Sequence, residues 1–119
     1  MVCAPSNVAA DNVLCRLEAE KVTKMVRVDE KKFSEQALKF SFHLIFNQHK
    51  EERYAGKRLS RYKTSCLSSE IFLVKQVVIT TVISASSEGP LGNNMGNFDV
   101  VMIDECGQSI EASCSIPLF

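Results

Sequence analysis

The sequence predicts an α/β protein organised around a parallel β-sheet, and three stretches carry that expectation. Val77-Val78-Ile79-Thr80-Thr81-Val82-Ile83 is a β-branched run of the kind that fills a central strand. Val100-Val101-Met102-Ile103, bounded by Asp99 and Asp104, reads as a buried parallel strand whose C-terminal end delivers two adjacent carboxylates, Asp104 and Glu105. At the start, Met1-Val2-Cys3-Ala4 runs into Pro5-Ser6-Asn7, the chemistry of a strand passing through a tight turn into a helix. The ends of these strands are expected on one edge of a single sheet, because open α/β sheets collect their ligands at the carboxyl ends of the strands.

Taken in order, Ser6 or Asn7 is placed to cap a helix from about Asn7 to Glu20. Its buried stripe is Ala10, Val13, Leu14 and Leu17, at i, i+3, i+4 and i+7. Lys21 to Val28 has apolar residues without clean alternation and fits a short strand. From Phe33 to Phe46 two periods compete: Phe33, Ala37, Phe40 and Leu44 fit a helical stripe, whereas Leu38, Phe40, Phe42, Leu44 and Phe46 alternate like a strand. After Ile83 the stretches Ser84–Pro90 and Gly92–Asn97 are loop chemistry, with glycines too irregular for a Gly-x-Gly-x-x-Gly phosphate loop. Gln108 to Ser115 can begin a short helix, which Pro117 limits by withholding a backbone donor.

At 119 residues and 45% apolar content, the chain supports one domain with a modest core. Its 14 basic and 14 acidic residues are unevenly distributed: residues 1–75 hold all the basic ones, while residues 76–119 hold five acidic and none basic. A basic front with an acidic end suits a protein that holds nucleic acid on one side and a divalent cation on the other; ordinary surface charge on a helical half is the other reading. The segment Lys50–Lys63 carries six basic and two acidic residues with Tyr54 and Tyr62 interleaved, fitting either a backbone-binding patch or a solvated helix face. Cys3, Cys15, Cys66, Cys106 and Cys114 form no Cys-x-x-Cys pair and are odd in number. They indicate neither a zinc site nor a disulfide framework, and point to a reducing compartment, cytoplasmic or nuclear. No apolar run approaches the roughly 18 residues of a membrane span, so a soluble protein is expected.

Two carboxylates at a strand end suit nucleotide hydrolysis because its steps need different groups. Asp104 would hold Mg2+ through its water shell, Glu105 would orient or deprotonate the attacking water, and Gln108 would reach the same water or the γ-phosphate. A solvated acidic turn is the plain alternative. Cys106, beside two acids, has its thiolate disfavoured and is a poor nucleophile.

The wording Val100-Val101-Met102-Ile103-Asp104-Glu105-Cys106-Gly107-Gln108, continuing through Leu118, resembles the Walker B region (motif II) of superfamily 1B helicases, especially the immunoglobulin mu-binding protein 2 branch of the nonsense-mediated-decay group. Cys3-Ala4-Pro5-Ser6-Asn7-Val8-Ala9-Ala10-Asp11-Asn12-Val13 resembles motif Ia of the same branch, and Thr80-Thr81 with Ser84-Ala85-Ser86 resembles motif Ic. The resemblance implies an incomplete RecA-like P-loop NTPase domain. Residues 1–28 would form its motif Ia part, 29–69 a mostly helical accessory insertion, and 70–119 the core with motifs Ic and II. It implies a parent that binds ATP and Mg2+, hydrolyses ATP and moves 5′ to 3′ on single-stranded RNA or DNA, with a second RecA-like domain as partner. Nucleic-acid contacts carry over to Ser6, Asn7, Asn12, Thr80 and Thr81. Such contacts are physically reasonable, because a helix start with a hydroxyl and exposed N–H groups holds a phosphate without reading sequence.

The residues of 29–69 do not closely match the family. The sequence also contains no Gly-x-x-x-x-Gly-Lys-[Ser/Thr] loop to cradle phosphates, so the chain is expected to be a fragment, catalytically dead by itself. A non-enzymatic nucleic-acid-binding remnant is the rival, followed by an unrelated α/β protein with a structural acidic turn. Contacts through hydroxyls and N–H groups do not separate RNA from DNA.

Overall fold

The computed structural model describes residues 1–29, 34–55, 57–86, 91 and 98–118. Strands β1 (Val2–Ala4), β2 (Met25–Val28), β3 (Val77–Thr81) and β4 (Met102–Ile103) form one sheet in the order β2-β3-β1-β4, with every neighbouring pair parallel. The register sets Ala4 opposite Thr81, Val28 opposite Thr80 and Cys3 opposite Ile103. The carboxyl ends of all four strands therefore lie on one edge, as expected. Around that edge the chain continues the pairing, Val82 N donating to Ala4 O at 2.9 Å and Asp104 N to Cys3 O at 2.8 Å.

Helices cover both faces. Strand residues alternate between the faces, so Met25 and Ile79 join Ala4, Ala10, Leu14 and Ala37 in one core, while Val26, Val28 and Val78 join Phe72 and Leu91 in the other. The first core is closed by α1 (Asn7–Ala19) and α2 (Glu35–Leu38), the second by α3 (Phe42–Tyr54) and α4 (Arg61–Leu73). An all-parallel sheet covered on both faces is the architecture of a partial RecA-like domain, and the expected α/β class is borne out.

Local chemistry explains the boundaries of α1. Ser6 is extended (φ −142°, ψ 163°) and its Oγ accepts from Ala9 N at 3.2 Å, satisfying one orphan donor of the first turn. At the other end Lys21 is left-handed (φ 63°), Lys21 N donates to Glu18 O at 2.8 Å and Val22 N to Leu17 O at 3.0 Å. This is a Schellman closure, sealed by the apolar pair Leu17 and Val22 against the first core. Of the predicted stripe Ala10 and Leu14 are fully buried, with Val13 and Leu17 half-buried.

In the two-period stretch Phe33 lies outside the described residues, and helix forms at Glu35–Leu38 and again from Phe42. Residues 42 and 45 then share a face on the second core, Phe42 stacks on Phe72 (4.8 Å between centroids, 6° between planes), and Leu44 stays exposed. Helix α4 runs through position 69, so its end, carrying Ile71 and Phe72, is part of the sheet's cover.

The expectation of a buried strand before Asp104 needs correction. Strand β4 spans two residues and pairs with β1 at the edge of the described sheet, and Val100 and Met102 are 61% and 59% exposed. Its apolar composition identified a strand but did not fix its position, which here leaves it uncovered. Strand β3, by contrast, has hydrogen-bonded neighbours on both sides. In β1 the Cys3 thiol is fully enclosed, and burial pushes its pKa from an ordinary 9.0 up to about 11. Among the described residues no helix is long and apolar enough to cross a membrane.

Candidate functional site

The sheet edge gathers most of the candidate residues. Asp104 and Glu105 leave the end of β4 exposed to solvent. Glu105 has a left-handed backbone (φ 51°) and opens a short 3-10 turn, Cys106–Gln108. A non-glycine residue there costs roughly 1–2 kcal/mol, and such conformations concentrate at functional sites. Gln108 ends the turn, and its side chain lies outside the described residues.

Among the described residues no group of three or more His, Cys, Asp or Glu side chains is arranged to hold a metal by itself. Two exposed carboxylates nevertheless fit Mg2+, which keeps several waters and shares its remaining ligands between one or two carboxylates and substrate phosphates.

Across β1, Ser6 is exposed at the start of α1; its hydroxyl accepts within the cap and still has a proton to donate. Asn7 is half-buried, and Asn12 is exposed on another side of α1. The two threonines separate by strand alternation. Thr81 meets solvent only at its rim, and its Oγ lies 3.0 Å from Ser84 Oγ. Thr80 is fully buried and its hydroxyl finds no hydrogen-bond partner among the described residues, so its side chain does not reach an external ligand here.

The strongest feature of the edge centres on Arg27 and Asp29, which lie in none of the three motifs. Arg27, in β2, is fully buried. Its Nε donates to Asp11 Oδ1 at 3.1 Å, Nη1 to Asp29 Oδ2 at 2.5 Å and to Val28 O at 3.0 Å, and Nη2 to Asn7 Oδ1 at 2.9 Å. Asn7 and Asp11, four apart on α1, present their side chains to the same guanidinium. Asp11 Oδ2 also accepts from Ser34 N at 2.8 Å. Asp29 accepts from Thr81 N at 3.3 Å and from the Ser84 hydroxyl, and lies 3.3 Å from Thr81 Oγ1. The available signal was a charged residue between apolar neighbours in Met25-Val26-Arg27-Val28, since a charge inside a doubly covered strand requires a buried partner.

Comparison with known proteins agrees with this architecture. The family model described as AAA domain matches residues 44–119. The chain is 30% identical over 151 residues to DNA-binding protein SMUBP-2 of Mesocricetus auratus, covering 99% of this chain and 15% of that protein. It is 36% identical over 125 residues to RNA helicase Mov10l1 of Mus musculus, covering 99% of this chain and 9% of that protein. It is also 29% identical over 133 residues to the probable helicase MAGATAMA 3 of Arabidopsis thaliana, covering 99% and 16%. The chain thus spans less than a fifth of the length of these relatives. It belongs to the AAA domain family, and together with these relatives to the superfamily 1 helicase group.

Proposed function

We propose that this chain is part of the first RecA-like domain of an ATP-dependent helicase that moves 5′ to 3′ along single-stranded RNA or DNA. Nucleic-acid backbone would run past Ser6, Asn7 and Thr81, flanked by Asn12, with Thr80 supporting them from inside the sheet. The observation that carries this reading is the shared edge: parallel register puts the ends of β1, β3 and β4 side by side, so a nucleotide at Asp104 and a strand at Ser6 would lie on adjoining parts of one surface. Two relatives are named as helicases and one as DNA-binding, which supports the class of ligand.

In this reading Asp104 would hold Mg2+ through its water shell, and the chemistry supplied by the bound ion would be neutralisation of phosphate charge. Glu105 orients and deprotonates the attacking water, and Gln108 assists at the same water. The chain's sequence has no Gly-x-x-x-x-Gly-Lys-[Ser/Thr] loop, so by itself it is proposed to bind nucleic acid without hydrolysing ATP.

The test belongs in the full-length parent. Glu105→Gln should keep ATP binding and lose turnover by roughly a hundredfold or more. Asp104→Asn should also weaken the Mg2+-dependent part of nucleotide affinity. Near-normal hydrolysis in Glu105→Gln would reduce the acidic pair to a structural turn.

A further inference from the structure

Arg27 joins two segments that are distant in sequence and adjacent in space. On one side it donates to Asn7 and Asp11 of α1; on the other it donates to Asp29, whose carboxylate accepts from Thr81 N and the Ser84 hydroxyl beyond β3. A guanidinium can serve all these acceptors because its donors are fixed in one plane, whereas an ammonium is a single point of charge. Its side chain has no exposed surface, so it is placed to organise a surface rather than to touch a ligand.

We propose that Arg27 is the positioning residue of the nucleic-acid edge. It fixes Asn7 and, through Asp29, fixes Thr81 and Ser84, so that the motif Ia and motif Ic segments present one preformed backbone-binding surface. This rests on the nucleic-acid reading above and deepens it. Preorganisation matters because neutral hydroxyl and amide contacts act together on a phosphate backbone only when their spacing is already set; otherwise ordering them opposes binding.

The experiment measures binding of the 119-residue chain to fluorescein-labelled oligouridylate and oligothymidylate of about 15 nucleotides, by anisotropy across a salt series. Circular dichroism establishes that each variant is folded. Arg27→Lys should bind about tenfold more weakly, the scale of one lost network coupling, with an unchanged slope of log affinity against log salt. Asp29→Asn, nearly isosteric, should weaken binding similarly and carries the decision if Arg27→Lys does not fold. Losses from Asn7→Ala and Thr81→Val should be non-additive with Arg27 present and additive in the Arg27→Lys background; a general loss of stability would not produce that pattern.

Parent-like affinity in the folded variants would overturn the positioning role while leaving the nucleic-acid reading intact. So would additivity with Arg27 present. A slope reduced by about 0.7 in a folded Arg27→Gln variant, which unlike Arg27→Lys removes the charge, would overturn it differently, by making Arg27 itself a phosphate contact. Absence of binding by the parent chain at low salt would remove the nucleic-acid reading, and this proposal with it.

Discussion

At the β2–β3 side of the sheet edge a fully buried guanidinium is bonded to two carboxylates, an amide and a carbonyl, and those groups are bonded in turn to Ser34, Thr81 and Ser84. At the β4 side two carboxylates stand exposed after a two-residue strand that pairs with β1. The first region has its polar groups committed to one another, and the second leaves them to solvent. Stability and the proposed chemistry are thereby divided: the interlocked side holds the fold, and the open side is the one proposed to meet a nucleotide.

The largest effect should come from breaking the interlocked side. Arg27→Met keeps much of the side-chain volume but leaves Asp11 and Asp29 without their buried cation, and should destabilise the chain by about 3–5 kcal/mol in urea unfolding. For a domain of this size that is a large part of total stability. A loss below about 1 kcal/mol would show that the two carboxylates are solvated rather than locked.

Cys3, in the strand between β3 and β4, probes the middle of the edge. Its folded pKa lies above its ordinary value, so the folded state holds that proton more tightly. The stabilisation is complete below about pH 9.0 and is lost as pH rises through about 11. The unfolding midpoint of the parent should therefore fall across that window relative to Cys3→Ala. Parallel curves would contradict the enclosure of the thiol.

Ser6→Ala should cost about 1 kcal/mol, because it removes the helix cap received by Ala9 N; urea unfolding measures it. The smallest effect is expected on the open side. Asp104→Asn and Glu105→Gln should each leave unfolding stability within about 0.5 kcal/mol of the parent, although the same changes are proposed to remove turnover in the full-length protein. A large destabilisation by either would mean that the acidic turn belongs to the locked structure.

The two regions also differed in how legible they were. The acidic end could be read because its residues lie side by side: Asp104, Glu105 and the apolar run before them fall in one short window. Helix α1 was readable for the same local reason, a cap followed by a periodic stripe. The interlocked site was hidden because its members come from residues 7, 11, 27, 29, 81 and 84, and no local pattern connects them. The exposure of β4 was equally non-local. Sheet order, which periodicity does not encode, decided that Val77–Thr81 would lie inside and Met102–Ile103 at the edge.

The enclosure of Cys3 makes the chain its own clock for opening of the sheet. At pH 8 a thiol with a pKa near 11 is only about one-thousandth thiolate, and with no accessible surface it resists alkylation twice over. Cys66 is exposed and offers an internal reference for ordinary thiol modification. Under brief treatment with iodoacetamide Cys66 should be modified early, and modification of Cys3 should wait for β1 to separate from its neighbours. The lag between the two thiols, followed by mass spectrometry of peptides, converts a buried sulfur atom into a measure of how often the centre of the sheet comes apart.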